Sequence, residues 1–201
     1  MNTAFKLLNK RKASGGVTTY GVDFPRIADD YAWNAGTALS YTADWVIEMD
    51  MELKTPMPTS IQGLLGSTTS FLHYINNTGR LLFVSGGSVR GTSTNPLPMD
   101  SKFNLRMEKA GLSYMIYIDN ILVDTFALPT GTQFQFKYLG KIPGSVNPLF
   151  GKVHTLKFGT PADPLEHDYS NTTGTGLWND VGTVGGFPLT LVGNTTYFPI
   201  P

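Results

Sequence analysis

The sequence predicts an all-β fold, an antiparallel β-sandwich of jelly-roll type. Three observations carry that expectation. Phe103 to Phe158 holds four short segments of alternating apolar and polar residues, FNLRMEKA (103–110), LSYMIYID (112–119), ILVDTFAL (121–128) and KVHTLKFG (152–159). Such alternation marks strands, because successive side chains fall on opposite faces. Charged residues make up only 15% of the chain, below the usual share of about a quarter, while Gly, Thr, Ser, Asn and Pro are abundant, which suits strands joined by many turns. No helical crossover pattern separates the strands, which excludes an α/β arrangement.

The elements follow in chain order. Residues 1–16 form a basic leader in which Lys6, Lys10, Arg11 and Lys12 precede Ser14-Gly15-Gly16. Its apolar patch at Phe5, Leu7 and Leu8 is too small to anchor a core, so the leader is expected as a surface end or a docking arm. One β-sandwich domain is expected over 17–201, with strands at 17–23, 38–42, 44–54, 61–66, 69–76, 80–85 and 88–91. The four segments above follow as a meander on one face of the sandwich, and a last strand lies near 188–193. Within LSYMIYID, Tyr114, Ile116 and Ile118 should face inward, opposite Ser113, Met115, Tyr117 and Asp119. Turns are expected at Asn77-Thr78-Gly79, where glycine supplies a positive φ, at Gly86-Gly87, at Gly111 and at Asp119-Asn120. Thr55-Pro56-Met57-Pro58 interrupts a ladder because proline has no N–H.

Composition bounds the function. At 201 residues with 41% hydrophobic residues, the chain can bury a core without the disulfides that its lack of cysteine denies it. Lys plus Arg and Asp plus Glu each number 15, so the overall field favours neither nucleic acid nor an anionic surface as partner. The amino terminus lacks a signal-peptide apolar run and no segment suits a membrane span, so a chain made in the cytoplasm without export is expected.

The sharpest chemical motif is Glu48-Met49-Asp50-Met51-Glu52. On a strand, Glu48, Asp50 and Glu52 share one face while Trp45, Ile47, Met49, Met51 and Leu53 share the other. Alternate strand residues sit roughly 6–7 Å apart, close enough for carboxyls to lean to the ~5–5.5 Å of a retaining glycosidase. A solvated face of a half-buried strand gives the same pattern and is commoner. His73, His154 and His167 show no metal-ligand spacing. The segment around His167, with Asp163, Glu166 and Asp168, could offer oxygen ligands to calcium, although loop carboxylates are usually only hydrated. Among the aromatics, Phe83, Phe103, Phe134, Phe136 and Phe158 are expected in the core. Tyr74, Tyr117 and Trp178 could reach solvent and stack on sugar rings, with Asn76, Arg80 or Arg90 bonding hydroxyls, although core packing or an oligomer contact is the commoner fate of such side chains.

Three segments carry a family resemblance. WVIEMDMEL (45–53), FNLRMEKAGLSYMIYIDNILVDTF (103–126) and FGKVHTLKFG (150–159) resemble, in this order, an early core strand, a hairpin and a closing strand of the concanavalin A-like lectin and glucanase superfamily. The similarity is to its laminin-G-like domains of bacterial surface and phage proteins. Asn120 stands where the hairpin has glycine. The carboxy-terminal Gly174, Gly176, Asp180 and Gly185-Gly186 resemble the segment that follows such domains. The resemblance implies a concanavalin A-like sandwich and, taken with the basic arm, the lack of cysteine and the lack of an export signal, leads to the expectation of a noncatalytic bacteriophage virion structural or attachment protein. Its expected partners are other virion proteins, further copies in a symmetric assembly, and host glycans. A carbohydrate-binding module is the first alternative. The second is a laminarinase-type retaining glycosidase, whose motif would make Glu48 nucleophile and Glu52 acid/base with Asp50 tuning both. The early position of the strand and the missing Trp-Pro lead-in argue against that chemistry. No cofactor is implied.

Overall fold

The computed structural model describes residues 19–25, 30–55, 61–67, 71–85, 88–141, 147–172, 174–193 and 195–200, with backbone alone at 71–74. The basic leader with Lys6, Lys10, Arg11 and Lys12, the Pro56-Met57-Pro58 interruption and the Gly86-Gly87 turn lie outside these residues. The described elements are all strands. They are β1 (Thr19–Pro25), β2 (Tyr31–Trp33), β3 (Leu39–Tyr41), β4 (Trp45–Leu53), β5 (Gln62–Gly66) and β6 (Phe71–Ile75). There follow β7 (Leu81–Ser85), β8 (Ser88–Thr92), β9 (Lys102–Ala110), β10 (Ser113–Ile118), β11 (Ile121–Ala127) and β12 (Phe134–Phe136). The last six are β13 (Tyr138–Leu139), β14 (Phe150–Gly159), β15 (His167–Ser170), β16 (Asn179–Asp180), β17 (Thr190–Val192) and β18 (Thr196–Ile200).

Two antiparallel sheets form a jelly-roll sandwich. The first runs β11-β10-β9-β4-β14-β1-β18, with β15 and β16 extending the far half of β14. The second runs β17-β2-β13-β5-β6-β7-β8, and β3 pairs with β12 between them. The expected four-strand meander is corrected in one respect. β9, β10 and β11 pair consecutively, but β14 lies beyond β4 and pairs with it and with β1. The long connection that passes through β12 and joins the other layer at β13 makes this crossover, so adjacency in sequence does not give adjacency in the sheet.

Alternation places the core as expected. Ile47, Met49, Met51 and Leu53 of β4 are wholly buried, and the inward residues Tyr114 and Ile116 of β10 nearly so. All five phenylalanines expected inside are buried. Phe83 of the second sheet lies against Tyr114 of the first with ring centroids 4.9 Å apart, and Trp45 against Phe134 at 5.3 Å. These contacts join the layers. The turn at Asp119-Asn120 has φ of 50° and 67°, the left-handed pair that a two-residue hairpin demands and that Asp and Asn tolerate. Among the described residues no helix is long and apolar enough to cross a membrane.

Candidate functional site

The outer face of the first sheet carries Glu48, Asp50 and Glu52, half-buried in one row. Strand register sets each between polar or cationic neighbours. Glu48 lies opposite Arg106 and Lys157, Asp50 opposite Asn104 and Thr155, and Glu52 opposite Lys102 and Lys152. The Asn104 amide donates to Glu48 Oε1 at 2.9 Å and to Asp50 Oδ1 at 3.0 Å, and Lys102 Nζ lies 3.2 Å from Asp50 Oδ2. Cross-strand pairs of this kind stabilise a sheet by about 0.2–1 kcal/mol each. A bulge between Val153 and Thr155 turns His154 onto the same face, against the Phe198 ring at 4.9 Å. Both His154 ring nitrogens lack a hydrogen-bond partner among the described residues. Burial, aided by the Lys102 charge, holds its pKa below the ordinary histidine value.

The residues named for a sugar site are divided among the first sheet, the core and the second sheet. Tyr117 lies on this outer face, but the Arg106 guanidinium covers its ring at 3.7 Å. Trp178, a candidate for sugar stacking, takes the commoner core fate instead: it is wholly buried against Tyr169 at 5.5 Å, because its backbone pairs with Leu189 and turns the indole inward. Asn76 shapes the turn after β6: its Oδ1 accepts from the Thr78 N–H, the Thr78 hydroxyl and the Arg80 N–H. Arg80 is exposed beyond that turn, and Arg90 Nε donates to the Ser85 carbonyl at the β7–β8 edge. The Tyr74 side chain lies outside the described residues.

The loop considered for calcium is filled by the protein's own donors. Asp163 Oδ1 accepts the Leu165 N–H and Oδ2 the Thr183 hydroxyl, and Glu166 accepts the hydroxyls of Tyr41 and Thr160. His167 Nδ1 meets Asp180 Oδ2 at 2.5 Å. Among the described residues no group of three or more His, Asp or Glu side chains is arranged to hold a metal ion. This cluster ties the chain after β16 onto the loop before β15.

A different set of side chains comes together on the outer face of the second sheet. Ala32 and Leu139 are opposite one another in register and wholly buried. Their neighbours Tyr31, Trp33 and Tyr138 therefore point away from the core, and all three are partly exposed. Trp33 and Tyr138 are also directly opposite, their ring planes within 9° and their centroids 6.2 Å apart. Tyr31 meets Tyr138 edge-on at 6.1 Å. Thr190 of β17 and Gly66 of β5 continue the Trp33–Tyr138 row on either side. With no side chain at Gly66, the row is open there. Lys137 Nζ lies 5.8 Å from the Trp33 ring centroid. Sequence reading missed these aromatics, since β2 and β13 are three and two residues long, too short for alternation to register. The tryptophan within Tyr31-Ala32-Trp33 was the one available signal.

No protein-family model matches the sequence, and no curated protein matches it. Among solved structures the chain is similar to a candidate carbohydrate-binding protein from Bacteroides ovatus, with a TM-score of 0.64 and 14% identity over 94% of this chain. The chain spans 63% of that protein's length. It is also similar to the heptameric SAP-like pentraxin of Limulus polyphemus, with a TM-score of 0.52 and 12% identity over 72% of this chain and 77% of the pentraxin. At these identities the likeness establishes the fold, a concanavalin A-like β-sandwich.

Proposed function

We propose that the protein is a noncatalytic carbohydrate-binding module whose ligand lies on the outer face of the second sheet. The row formed by Trp33 and Tyr138 with Tyr31 beside them is the observation that carries this reading. A pyranose presents an apolar face of C–H groups that an aromatic plane removes from water, while its rim of hydroxyls needs polar partners. The Thr190 hydroxyl flanks the rings, and neighbouring strands hold the aromatic positions. The Bacteroides ovatus protein of the same fold, described as a candidate carbohydrate binder, supports the reading.

The carboxylate row enters as a structural lattice. A retaining glycosidase needs one carboxyl protonated and one ionised, whereas here Glu48 and Asp50 share the Asn104 amide and cations flank the row. A virion setting rests on the sequence resemblance alone; on a virion the same aromatic face would serve host attachment. Glycan-array binding tests the proposal: Trp33→Ala with Tyr138→Ala should abolish binding while the thermal transition is retained. Undiminished binding by the double variant, or no glycan bound by the wild type, would overturn it.

A further inference from the structure

The cations of the two faces differ in what surrounds them. On the first sheet and its margins, Lys54, Lys102, Arg106 and Lys109 pair with Asp23, Asp50, Glu108 and Asp44, and Lys152 and Lys157 lie opposite Glu52 and Glu48 in register. Lys137 is different. It sits on the bend between β12 and β13, half-buried, with its ammonium over the Trp33 ring and no carboxylate partner among the described residues. The strands that build the aromatic face, β2, β13, β17 and β5, read YAW, YL, TLV and QGLLG, without one acidic residue. Asp30, which precedes β2, is wholly buried.

From this placement we infer that the aromatic face selects an acidic glycan, a polyuronate, whose sugar ring packs on Trp33 and Tyr138 while its carboxylate meets Lys137. The inference rests on the reading of this face as the glycan site and adds the class of sugar. Three steps support it. A cation held beside an aromatic ring is close to any sugar seated on that ring. A partly desolvated ammonium meeting a carboxylate forms a charge-assisted hydrogen bond, roughly twice as strong as one between neutral groups. With no acidic side chain on these four strands, no local carboxylate there competes for Lys137 or repels an anionic polymer.

The test compares polygalacturonate and alginate with the same polymers after reduction of their carboxyls to primary alcohols, using titration calorimetry on wild type, Lys137→Gln and Trp33→Ala. The wild type should bind at least one polyuronate about tenfold more tightly than its reduced counterpart, equivalent to about 1.4 kcal/mol. Lys137→Gln should lose that preference without losing the reduced polymer, and added salt should weaken only the polyuronate complex. Equal affinity for both forms, an unchanged preference in Lys137→Gln, or no binding of either polyuronate would overturn the inference. If a neutral glycan binds and Trp33→Ala abolishes that binding, the aromatic face remains a sugar site and only the acidic preference falls. If Trp33→Ala binds as the wild type does, the site itself is misplaced.

Discussion

Replacing Asp180 with alanine should destabilise the protein by about 3–5 kcal/mol, because its carboxylate holds four donors at once. Oδ2 accepts His167 Nδ1–H at 2.5 Å and the Phe187 N–H at 3.1 Å, while Oδ1 accepts the Asp168 N–H at 3.1 Å and the Gly182 N–H at 3.2 Å. The Asp180 side chain is wholly buried and that of His167 nearly so. Each buried donor left without a partner costs about 1–3 kcal/mol, with the lower figure applying where water can enter. Asparagine is no rescue, since its amide would present donors to donors. In a chain of this size the loss lowers the melting temperature by roughly 6–20 °C.

Urea unfolding followed by tryptophan fluorescence reads the change, with Trp178 as a reporter beside the cluster. The pH dependence adds a sign. Burial alone would raise the Asp180 pKa, but the hydrogen bond and charge of His167 and the N–H groups of Gly182 and Asp168 hold it below the ordinary 3.8. The associated stability is therefore fully present above about pH 4 and is lost as pH falls through the lower folded value. The gap between wild type and Asp180→Ala should narrow below pH 4. A difference under about 1 kcal/mol at neutral pH, or a gap that widens in acid, would refute the clamp.

Met49→Ala should cost about 2–5 kcal/mol in urea unfolding, since the side chain is wholly buried; a loss under about 1 kcal/mol would mean that β4 is out of register by one residue. Gly151→Ala should destabilise by about 2 kcal/mol or more, because the added methyl would fall on the Glu52 carbonyl oxygen and push β14 off β4; an unchanged melting temperature would contradict that packing. Replacing Glu48 and Glu52 by Gln and Asp50 by Asn together should leave glycan affinity within about twofold and stability within about 2 kcal/mol, as half-exposed ion pairs are weak. Reducing ends released by the wild type and not by this variant would restore a hydrolytic role. His154→Phe should flatten the fall in stability as pH drops below the unfolded histidine value of 6.5, because the folded protein favours the neutral ring; an unaltered pH profile would place that proton uptake elsewhere.

The strands with long periodic runs were legible in the sequence, and the aromatic face of the second sheet was not. WVIEMDMEL and SYMIYI carry enough alternation to fix which side chains enter the core, and Met49, Tyr114 and Ile116 lie where period two puts them. The hairpin at Asp119-Asn120 was readable from turn chemistry. What failed had few residues to argue from. Trp178 stands between glycines and polar residues, so local composition suggests exposure, but its pairing with Leu189 turns it inward. Asn76 has a structural task that residue type does not reveal, since its side-chain oxygen organises the turn that leads to Arg80. The placement of β14 beyond β4 depends on a long crossover, which segment order cannot reveal.

The two outer faces of the sandwich differ in what a ligand would have to displace. On the first sheet the register sets carboxylates against cations, so a ligand entering there must break contacts already made before it gains its own. Tyr117 is covered by Arg106, and Phe198 has Lys152 Nζ 4.9 Å from its ring centroid. On the second sheet, Tyr31, Trp33 and Tyr138 project from strands whose opposite faces are fixed in the core by Ala32 and Leu139. Their backbones are thus positioned before a ligand arrives, and an apolar ring face gives up only ordered water when a sugar settles on it. Lys137 can turn from the indole to a carboxylate without breaking an ion pair among the described residues. The first sheet sets Glu48, Asp50 and Glu52 against its own amide and cations, whereas a ligand on the proposed site at Tyr31, Trp33 and Tyr138 would displace no ion pair among the described residues.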